Sequence, residues 1–286
     1  FLLAVGGRAV SGLVTRQQNV IFTDDALYTM QFTGDVSDVF SFRLAGRGCG
    51  LAGAMAAAEQ DGKVFWRSRE NFHVFLGAAP QIVPCPVLRD MQENMAAGQF
   101  EKIACGVNPG FSEVWWFYPD ARDGNECSRY VCLNFAVDDP SQGWTCGTFD
   151  RSTWIRPGVT EYPVAFGTDG EVYYHEKGES ASGAPLVSFL RGAFTDLDDG
   201  NNLVVVRRIV PDFEGQLGAL TMTVSRRPWP AAPEVIHGAY EVAANTQKID
   251  LRMQARQIAL TIEGRSSPSF WRLGALRVDI QKSGAQ

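Results

Sequence analysis

The residues of this sequence that could support catalysis are few and lie far apart. Its histidines are His73, His175 and His237, and each lies in or beside a strand-like run. A catalytic histidine needs a nucleophile and an orienting acid within reach. No Gly-x-Ser-x-Gly, P-loop or His-Glu-x-x-His motif occurs in the chain. We therefore expect all three histidines to be structural.

The spacing of cysteines and acids does not predict a metal site. The six cysteines form no Cys-x-x-Cys pair and stand at positions 49, 85, 105, 127, 132 and 146. Residues 196–202 begin like a calcium loop, but Gly200 and Arg207 occupy its fifth and twelfth positions, where oxygen ligands are needed. We predict an acidic turn there and small buried thiols elsewhere. The sequence does not decide whether Cys127 and Cys132 form a disulfide.

Sugar hydrolysis needs two carboxylates at a defined separation, which a sequence with 32 acids cannot reveal. Sialidase propellers carry a Ser-x-Asp-x-Gly-x-x-Trp box. The nearest run, Ser141–Trp144, lacks its aspartate and its spacing. We therefore assign no catalytic, cofactor-binding or metal-binding residue, expect no cofactor, and expect that the chain is not an enzyme.

Aromatic clusters and arginine pairs favour packing over ligand binding. Consecutive aromatics such as Trp115-Trp116-Phe117-Tyr118 point to opposite faces of a strand, so most should be buried. By the same alternation, one arginine of the pair Arg207-Arg208 should face solvent. Nearby acids make a surface or intersubunit role more probable than a nucleic-acid stripe.

A recurring unit organises the first part of the chain. Asp61–Trp66 and Asp169–Tyr174 share an Asp-Gly turn, a valine and two aromatics, and Ser112–Tyr118 and Asp24–Thr29 are related runs. Their aligned positions 27, 64, 114 and 172 are 37, 50 and 58 residues apart. Such units are typical of propeller blades, although an irregular β-meander would give a similar pattern. We predict an all-β fold with a β-propeller-like body over residues 1–195.

Three of these units should supply the blade cores through Val64, Val114 and Val172 with their aromatic neighbours. One stretch, Pro86–Gly98, is rich in helix formers and ends on glycine. It predicts a short helix between blades.

The remainder, residues 196–286, alternates between apolar and polar positions with period two. The alternation is clearest around Leu220–Ser225, Ile258–Ile262 and Leu276–Ile280. Strands with one buried face are expected from this pattern. We predict a β-sandwich platform domain over residues 196–286.

The overall charge of −6 argues against tight, non-specific binding of nucleic acid, which requires phosphate neutralisation. No run of 18 apolar residues is present, so no membrane-spanning helix is predicted.

Several runs resemble tail nozzle, or packaged-DNA stabilisation, proteins of short-tailed bacteriophages. In the body these runs are Val114–Pro119, Glu126–Asn134, Trp144, Gly147–Trp154 and Gly167–Glu176. In the platform they are Ile209–Phe213, Lys248–Arg252 and Arg256–Leu260. The resemblance carries no catalytic residues. Family members are generally longer than this chain, so the number of blades stays open.

The resemblance implies a structural subunit of the virion tail, assembled in the bacterial host cytoplasm. Such a subunit would form a homo-oligomeric, hexameric ring that contacts the portal and adaptor ring and the tail fibre or spike proteins. The ring would retain packaged DNA and conduct it through its lumen without sequence-specific binding. Two alternatives stand beside it, a carbohydrate-binding or glycan-cleaving propeller and a cellular scaffold propeller. The first would place exposed tryptophans beside a carboxylate pair in a central pocket.

Overall fold

The computed structural model describes residues 7–16 and 18–282. The chain divides into two compact units, Phe1–Lys177 and Gly178–Gln286. Each unit is built from antiparallel strands, which confirms the predicted all-β class.

The first unit contains four sheets, and each sheet uses consecutive strands of the chain. The first sheet contains β1 (Ala9–Val14), β2 (Asn19–Thr23), β3 (Ala26–Phe32) and β4 (Phe40–Arg47). The second contains β5 (Ala57–Gln60), β6 (Lys63–Arg67), β7 (Phe72–Phe75) and β8 (Pro80–Val83). The third contains β9 (Ala104–Asn108), β10 (Glu113–Pro119), β11 (Cys127–Asn134) and β12 (Trp144–Thr148). The fourth contains β13 (Arg151–Ile155), β14 (Val164–Gly167) and β15 (Val172–Tyr174).

Helical structure is scarce in the described residues. Helix α1 (Leu88–Asn94) lies between the second and third sheets, inside the segment predicted to be helical. Single-turn 3-10 helices occupy Phe100–Lys102, Pro109–Phe111 and Pro140–Gln142. No helix of the described chain has the length and apolar character needed to cross a bilayer.

The first strands of the four sheets lie side by side, as in a propeller. Strand β5 contacts β1 and β9, and β9 contacts β13. Residues of all four strands line one cavity. The first three sheets pack on a core that includes fully buried Trp66 and Trp116. Their indole nitrogens donate to the carbonyl oxygens of Cys49 and Ala56, at 2.7 and 3.1 Å, so neither buried donor is left unpaired.

The sequence repeat corresponds to the sheets only in part. Val64 and Val114 occupy equivalent second strands, β6 and β10, and both are fully buried. Leu27 and Val172 lie instead in third strands, β3 and β15. The 50-residue spacing of Val64 and Val114 is therefore a true sheet-to-sheet period, whereas the other two spacings compare unlike strands.

The prediction that Val172 builds a blade core is wrong. Its side chain is 54% exposed, and that of Tyr174 is 55% exposed. The reason is the position of β15, which is the outer strand of a three-stranded sheet. A strand at an edge has a neighbour on one side only, so less of its surface is covered.

The structure describes twelve strands in residues 178–282 of the second unit. These are β16 (Ser180–Ala181), β17 (Ala184–Pro185), β18 (Ser188–Arg191), β19 (Thr195–Asp196), β20 (Val204–Val210), β21 (Phe213–Leu217), β22 (Leu220–Arg227), β23 (Val235–Val242), β24 (Ile249–Ala255), β25 (Gln257–Gly264), β26 (Phe270–Leu273) and β27 (Arg277–Lys282). One sheet has the order β18-β25-β22-β23, with β19 also paired to β25, and another has the order β24-β20-β27. Short pairs are formed by β16 with β17 and by β21 with β26.

The two larger sheets of this unit enclose a single apolar core, as a sandwich does. Val206 and Ile209 of β20 and Met253 of β24 contribute from one sheet. Met222 and Ile262 contribute from the other. The clean period-two alternation of the sequence produces this buried layer, because every second side chain of a strand points inward.

The boundary between the units lies before the predicted one. Residues 178–195 belong to the second unit because β18 and β19 both pair with β25. These pairings join residues more than 60 positions apart, such as Ser188 and Gly264, and local sequence patterns do not report them.

Candidate functional site

Two acids, Glu113 and Glu176, lie at the third and fourth sheets of the first unit, close enough for their charges to interact. Glu113 begins β10 and pairs in register with Asn108, the last residue of β9. Glu176 follows β15 and adopts the left-handed backbone conformation, with a φ of 57°. The buried side chain of Asn108 donates through Nδ2 to Oε1 of Glu176, at 3.1 Å. Asn108 thus links the two acids.

Both carboxylates are easier to protonate than usual. Burial raises the pKa of Glu113, the nearby charge of Glu176 raises it further, and the hydrogen bond from Trp115 opposes the shift. Burial also raises the pKa of Glu176, against the bond from Asn108. Although much of Glu176 is exposed, its carboxylate oxygen is turned toward buried Asn108. Acids with shifted pKa values often cluster at functional sites, which makes these two residues candidates for one.

Tryptophans accompany the acid pair. The indole nitrogen of half-buried Trp115 donates to Oε2 of Glu113 at 3.1 Å. The Trp115 ring lies parallel to that of Trp154, with the ring centroids 6.0 Å apart. Trp154 packs closely on Gly106, where an added Cβ would come within 2.4 Å of the indole. A glycine at 106 is therefore required for this arrangement of rings.

The inner strands also line a cavity of about 280 Å³ next to Trp154. Arg156 and Glu59 lie at this cavity and form an ion pair of 3.7 Å. Arg16 and Asp61 form a second pair nearby, at 3.8 Å. These four charges neutralise one another in two pairs.

A larger cavity of about 700 Å³ lies at the start of β1. Asp24 accepts hydrogen bonds from the backbone nitrogens of Gly7 and Arg8, at 2.8 and 3.3 Å. These bonds lower the pKa of Asp24. Arg8 also pairs with Glu101 at 3.2 Å, and both side chains are mostly exposed. Asp24 is thus held ionised, which does not suit a general acid.

The three histidines have hydrogen-bond partners other than these acids, although the His175 ring lies 4.8 Å from that of Trp154, centroid to centroid. Nε2 of buried His73 lies 3.1 Å from the hydroxyl of Ser68. Arg151 donates through Nε to Nε2 of His175 at 3.1 Å, and Arg226 does the same for His237 at 2.8 Å. Burial lowers the pKa of His73 and of His175 to about 4 in each case.

The cysteines and the acidic turn also have definite positions. All six cysteines are free thiols, and Cys127 and Cys132 lie on one strand, β11, so no disulfide joins them. In the turn, Asp198 pairs with Lys282 at 2.8 Å, and Asp199 accepts from the backbone of Asn201 at 3.0 Å. Within residues 7–16 and 18–282, no group of three His, Cys, Asp or Glu side chains could hold a metal ion.

Sequence reasoning missed the pair of Glu113 and Glu176. The two residues are 63 positions apart, and only the packing of two sheets brings them together. A signal was present, because both acids border aromatic runs of the repeated unit. Aromatic packing by itself explains those runs, so the sequence alone does not distinguish these acids from others.

The fold and the site define an all-β protein with a propeller-like body, a sandwich unit and a carboxylate pair beside tryptophans. No protein-family model and no curated protein matches the chain. It is similar to a solved glycoside hydrolase, at 12% identity and a TM-score of 0.28, covering 91% of this chain and 81% of that one. It is also similar to an exo-β-1,3-galactanase from Phanerochaete chrysosporium, at 8% identity and a TM-score of 0.16, covering 96% of each chain.

The expectation that the chain is not an enzyme is contradicted by these neighbours, whose names describe a glycoside hydrolase and a galactanase. That expectation is withdrawn. TM-scores of this size carry no argument for a particular activity or substrate in this chain.

Proposed function

We propose that the chain is a structural subunit of a ring, as its resemblance to bacteriophage tail nozzle proteins suggests. The ring would be a homo-oligomer, hexameric by that resemblance, in the tail of a virion assembled in the host cytoplasm. It would contact the portal and adaptor ring and the tail fibres or spike. Its lumen would retain packaged DNA and conduct it on ejection.

The observation that carries this proposal is the exposure of apolar side chains on both outer strands of the larger sheet in the second unit. Both of its outer strands, β18 and β23, expose large apolar side chains. In β18, Phe189 is 72% exposed, and in β23, Ile236 is 63% exposed. Open apolar edges invite pairing with another chain, and a closed ring of copies covers them.

Charge supports the same role. The first unit holds 14 basic and 21 acidic residues and therefore carries a formal charge of −7. A negatively charged surface lining the lumen repels DNA phosphates and lacks the strong, salt-dependent affinity that a basic groove has for DNA. DNA would therefore pass along such a surface without being held.

The test is the size of the assembled protein, measured by native mass spectrometry and by electron microscopy of the particles. We expect a closed ring that Phe189→Lys or Ile236→Lys weakens. Val159→Lys, which places the same charge on a fully exposed residue of the first unit, should leave the ring intact. A wild-type protein that stays monomeric at high concentration would refute the proposal.

A second candidate function is supported by the acid pair. Glu113 and Glu176 have raised pKa values and lie beside Trp115, the combination expected of a glycan-binding or glycan-cleaving site. Glu113→Gln and Glu176→Gln should then abolish hydrolysis or glycan-array binding, whereas Glu161→Gln, at an exposed loop position, should not. A wild-type protein that neither binds nor cleaves glycans would exclude this function, and full activity in both site variants would exclude Glu113 and Glu176 as its site.

A further inference from the structure

A β-bulge in β20 presents two consecutive arginines on one face of the sandwich. The register of β20 shifts between Val206 and Arg208 against both β24 and β27. Val206 and Ile209 point into the core, while Arg207 and Arg208 are both exposed. A bulge adds one residue to a strand and breaks the alternation of its side chains. The sequence predicted that one arginine of this pair faces solvent, whereas the structure exposes both.

The two arginines lie in a groove of about 950 Å³ on the outer face of β20 and β24. Arg252 and Asp250 of β24 also line it, and half-buried Val205 contributes an apolar patch. The groove is therefore a basic surface with an apolar part.

Existing ion pairs leave part of this positive charge uncompensated. Asp250 is engaged by Lys248 at 2.9 Å, and Arg208 by Asp279 at 3.3 Å. Arg207 donates to the side-chain oxygen of Gln281, which is neutral. Among the residues that the structure describes, neither Arg207 nor Arg252 has an acidic partner. The groove thus offers two guanidinium groups to an acidic ligand.

The first unit carries a matching feature at the tip of its β3–β4 hairpin. Asp35 and Asp38 are exposed there, and the described part of the chain provides no basic partner for either. Between them, Val36 is 94% exposed. The loop has a defined shape, because the Thr33 hydroxyl accepts from the Asp35 backbone at 3.0 Å and the Asp35 carboxylate accepts from the Ser37 backbone at 2.7 Å.

We propose that the groove binds the β3–β4 hairpin tip of a second copy of this chain. Asp35 and Asp38 would pair with Arg207 and Arg252, and Val36 would cover Val205. Complementary charge favours this occupant, since the hairpin belongs to the unit of charge −7 and the groove to a unit of charge +1. Because hairpin and groove are different surfaces, the contact is head-to-tail, and repetition of such a contact generates a ring when the rotation between copies closes.

This inference rests on the proposed assembly into a ring. Charge-reversal variants distinguish failure of this particular contact from failure of ring assembly as a whole. Arg207→Glu with Arg252→Glu should weaken self-association, and so should Asp35→Lys with Asp38→Lys. Like charges placed in contact should weaken it by about tenfold or more. Mixing the two double variants restores opposite charges at every contact and should restore the ring. Size is measured by light scattering at several concentrations, at low salt and at high salt.

The control is Arg265→Glu with Arg272→Glu, the same charge change on exposed residues of the same unit outside the groove. It should assemble as the wild type does, and circular dichroism should show all variants folded. If the wild type is monomeric, the proposed ring and this contact are both refuted.

If the wild type assembles and the reversed variants assemble equally well, this contact alone is refuted. Duplex DNA is the other ligand that arginines of this kind bind. Loss of DNA binding without loss of assembly in the Arg207 and Arg252 variant would also overturn the proposal and assign the groove to phosphates.

Discussion

Buried His73 and half-buried His175 make the stability of the fold depend on pH. His73 and His175 have pKa values lowered to about 4, because burial disfavours the charged ring and a neighbouring arginine repels it. A histidine in the unfolded chain has a pKa of about 6.5. Between these values the unfolded state binds more protons, so stability is full above about pH 6.5 and is lost as the pH falls toward 4. We expect a lower urea midpoint at pH 5 than at pH 7.

Substitution of the histidines and of the acids Glu113 and Glu176 separates their contributions to the pH dependence of stability. His73→Gln with His175→Gln should reduce the difference in urea midpoint between pH 7 and pH 5. Glu113 and Glu176 act in the opposite sense, since their raised pKa values make the native state take up protons more readily as the pH falls. Glu113→Gln with Glu176→Gln should therefore steepen the loss. An unchanged pH dependence in the histidine variant would contradict this account.

Two valines at matching positions of the sequence repeat should respond differently to truncation. Val64 is fully buried, whereas Val172 is 54% exposed. Val64→Ala removes buried apolar surface and leaves a cavity, which should lower the free energy of unfolding by about 2 kcal/mol. Val172→Ala should change it by less than about 0.5 kcal/mol. If the two variants lost equal free energy of unfolding in urea, the Val172 side chain would have to be buried in solution, which would contradict this explanation.

At the scale of elements, the hairpin between β5 and β6 depends on a tight turn. Asp61 and Gly62 have φ angles of 52° and 82°, as a two-residue turn with two positive values requires. Gly62→Ala should cost about 1 kcal/mol, because a Cβ is strained at this φ while no neighbour blocks it. Gly110→Ala, at a glycine without positive φ, is the control. Equal unfolding midpoints for the two variants would contradict this explanation.

The sequence predicted elements well where one local rule governed them. The Asp61-Gly62 turn, the helix within Pro86–Gly98 and the alternation of Leu220–Ser225 all depend on neighbouring residues, and the structure contains each of them. The all-β class follows from such signals. The bulge that exposes Arg207 is a different case, since it arises from register against two strands distant in the chain.

The candidate site could not be predicted for the same reason. The pairing of Glu113 with Glu176 depends on how two sheets pack. Likewise, the repeat suggested that Val172 is equivalent to Val64, but only the strand order shows that one lies in a third strand and the other in a second. Propensity identifies a strand without stating its place in a sheet.

At the scale of the whole molecule, the two units have separate cores, and the chain segment at their boundary is exposed. Every residue from 177 to 187 is exposed. A protease specific for glutamate should therefore cut first after Glu179, while Glu241 and Glu263 are protected within strands. We expect two fragments that both keep their β-sheet signal in circular dichroism, with masses determined by mass spectrometry. First cleavage within β23 or β25 would contradict this division.

The strand order of the two units implies an order of events during synthesis. Each sheet of the first unit is complete as soon as its own consecutive strands have left the ribosome, the first of them by residue 47. The sandwich must wait, since β18 pairs with β25 and β20 pairs with β27, which ends at Lys282. Long-range pairings of this kind form slowly. The first unit of the nascent chain should therefore be folded while the apolar strands of the second unit are still unpaired. A chaperone would bind the chain during this interval.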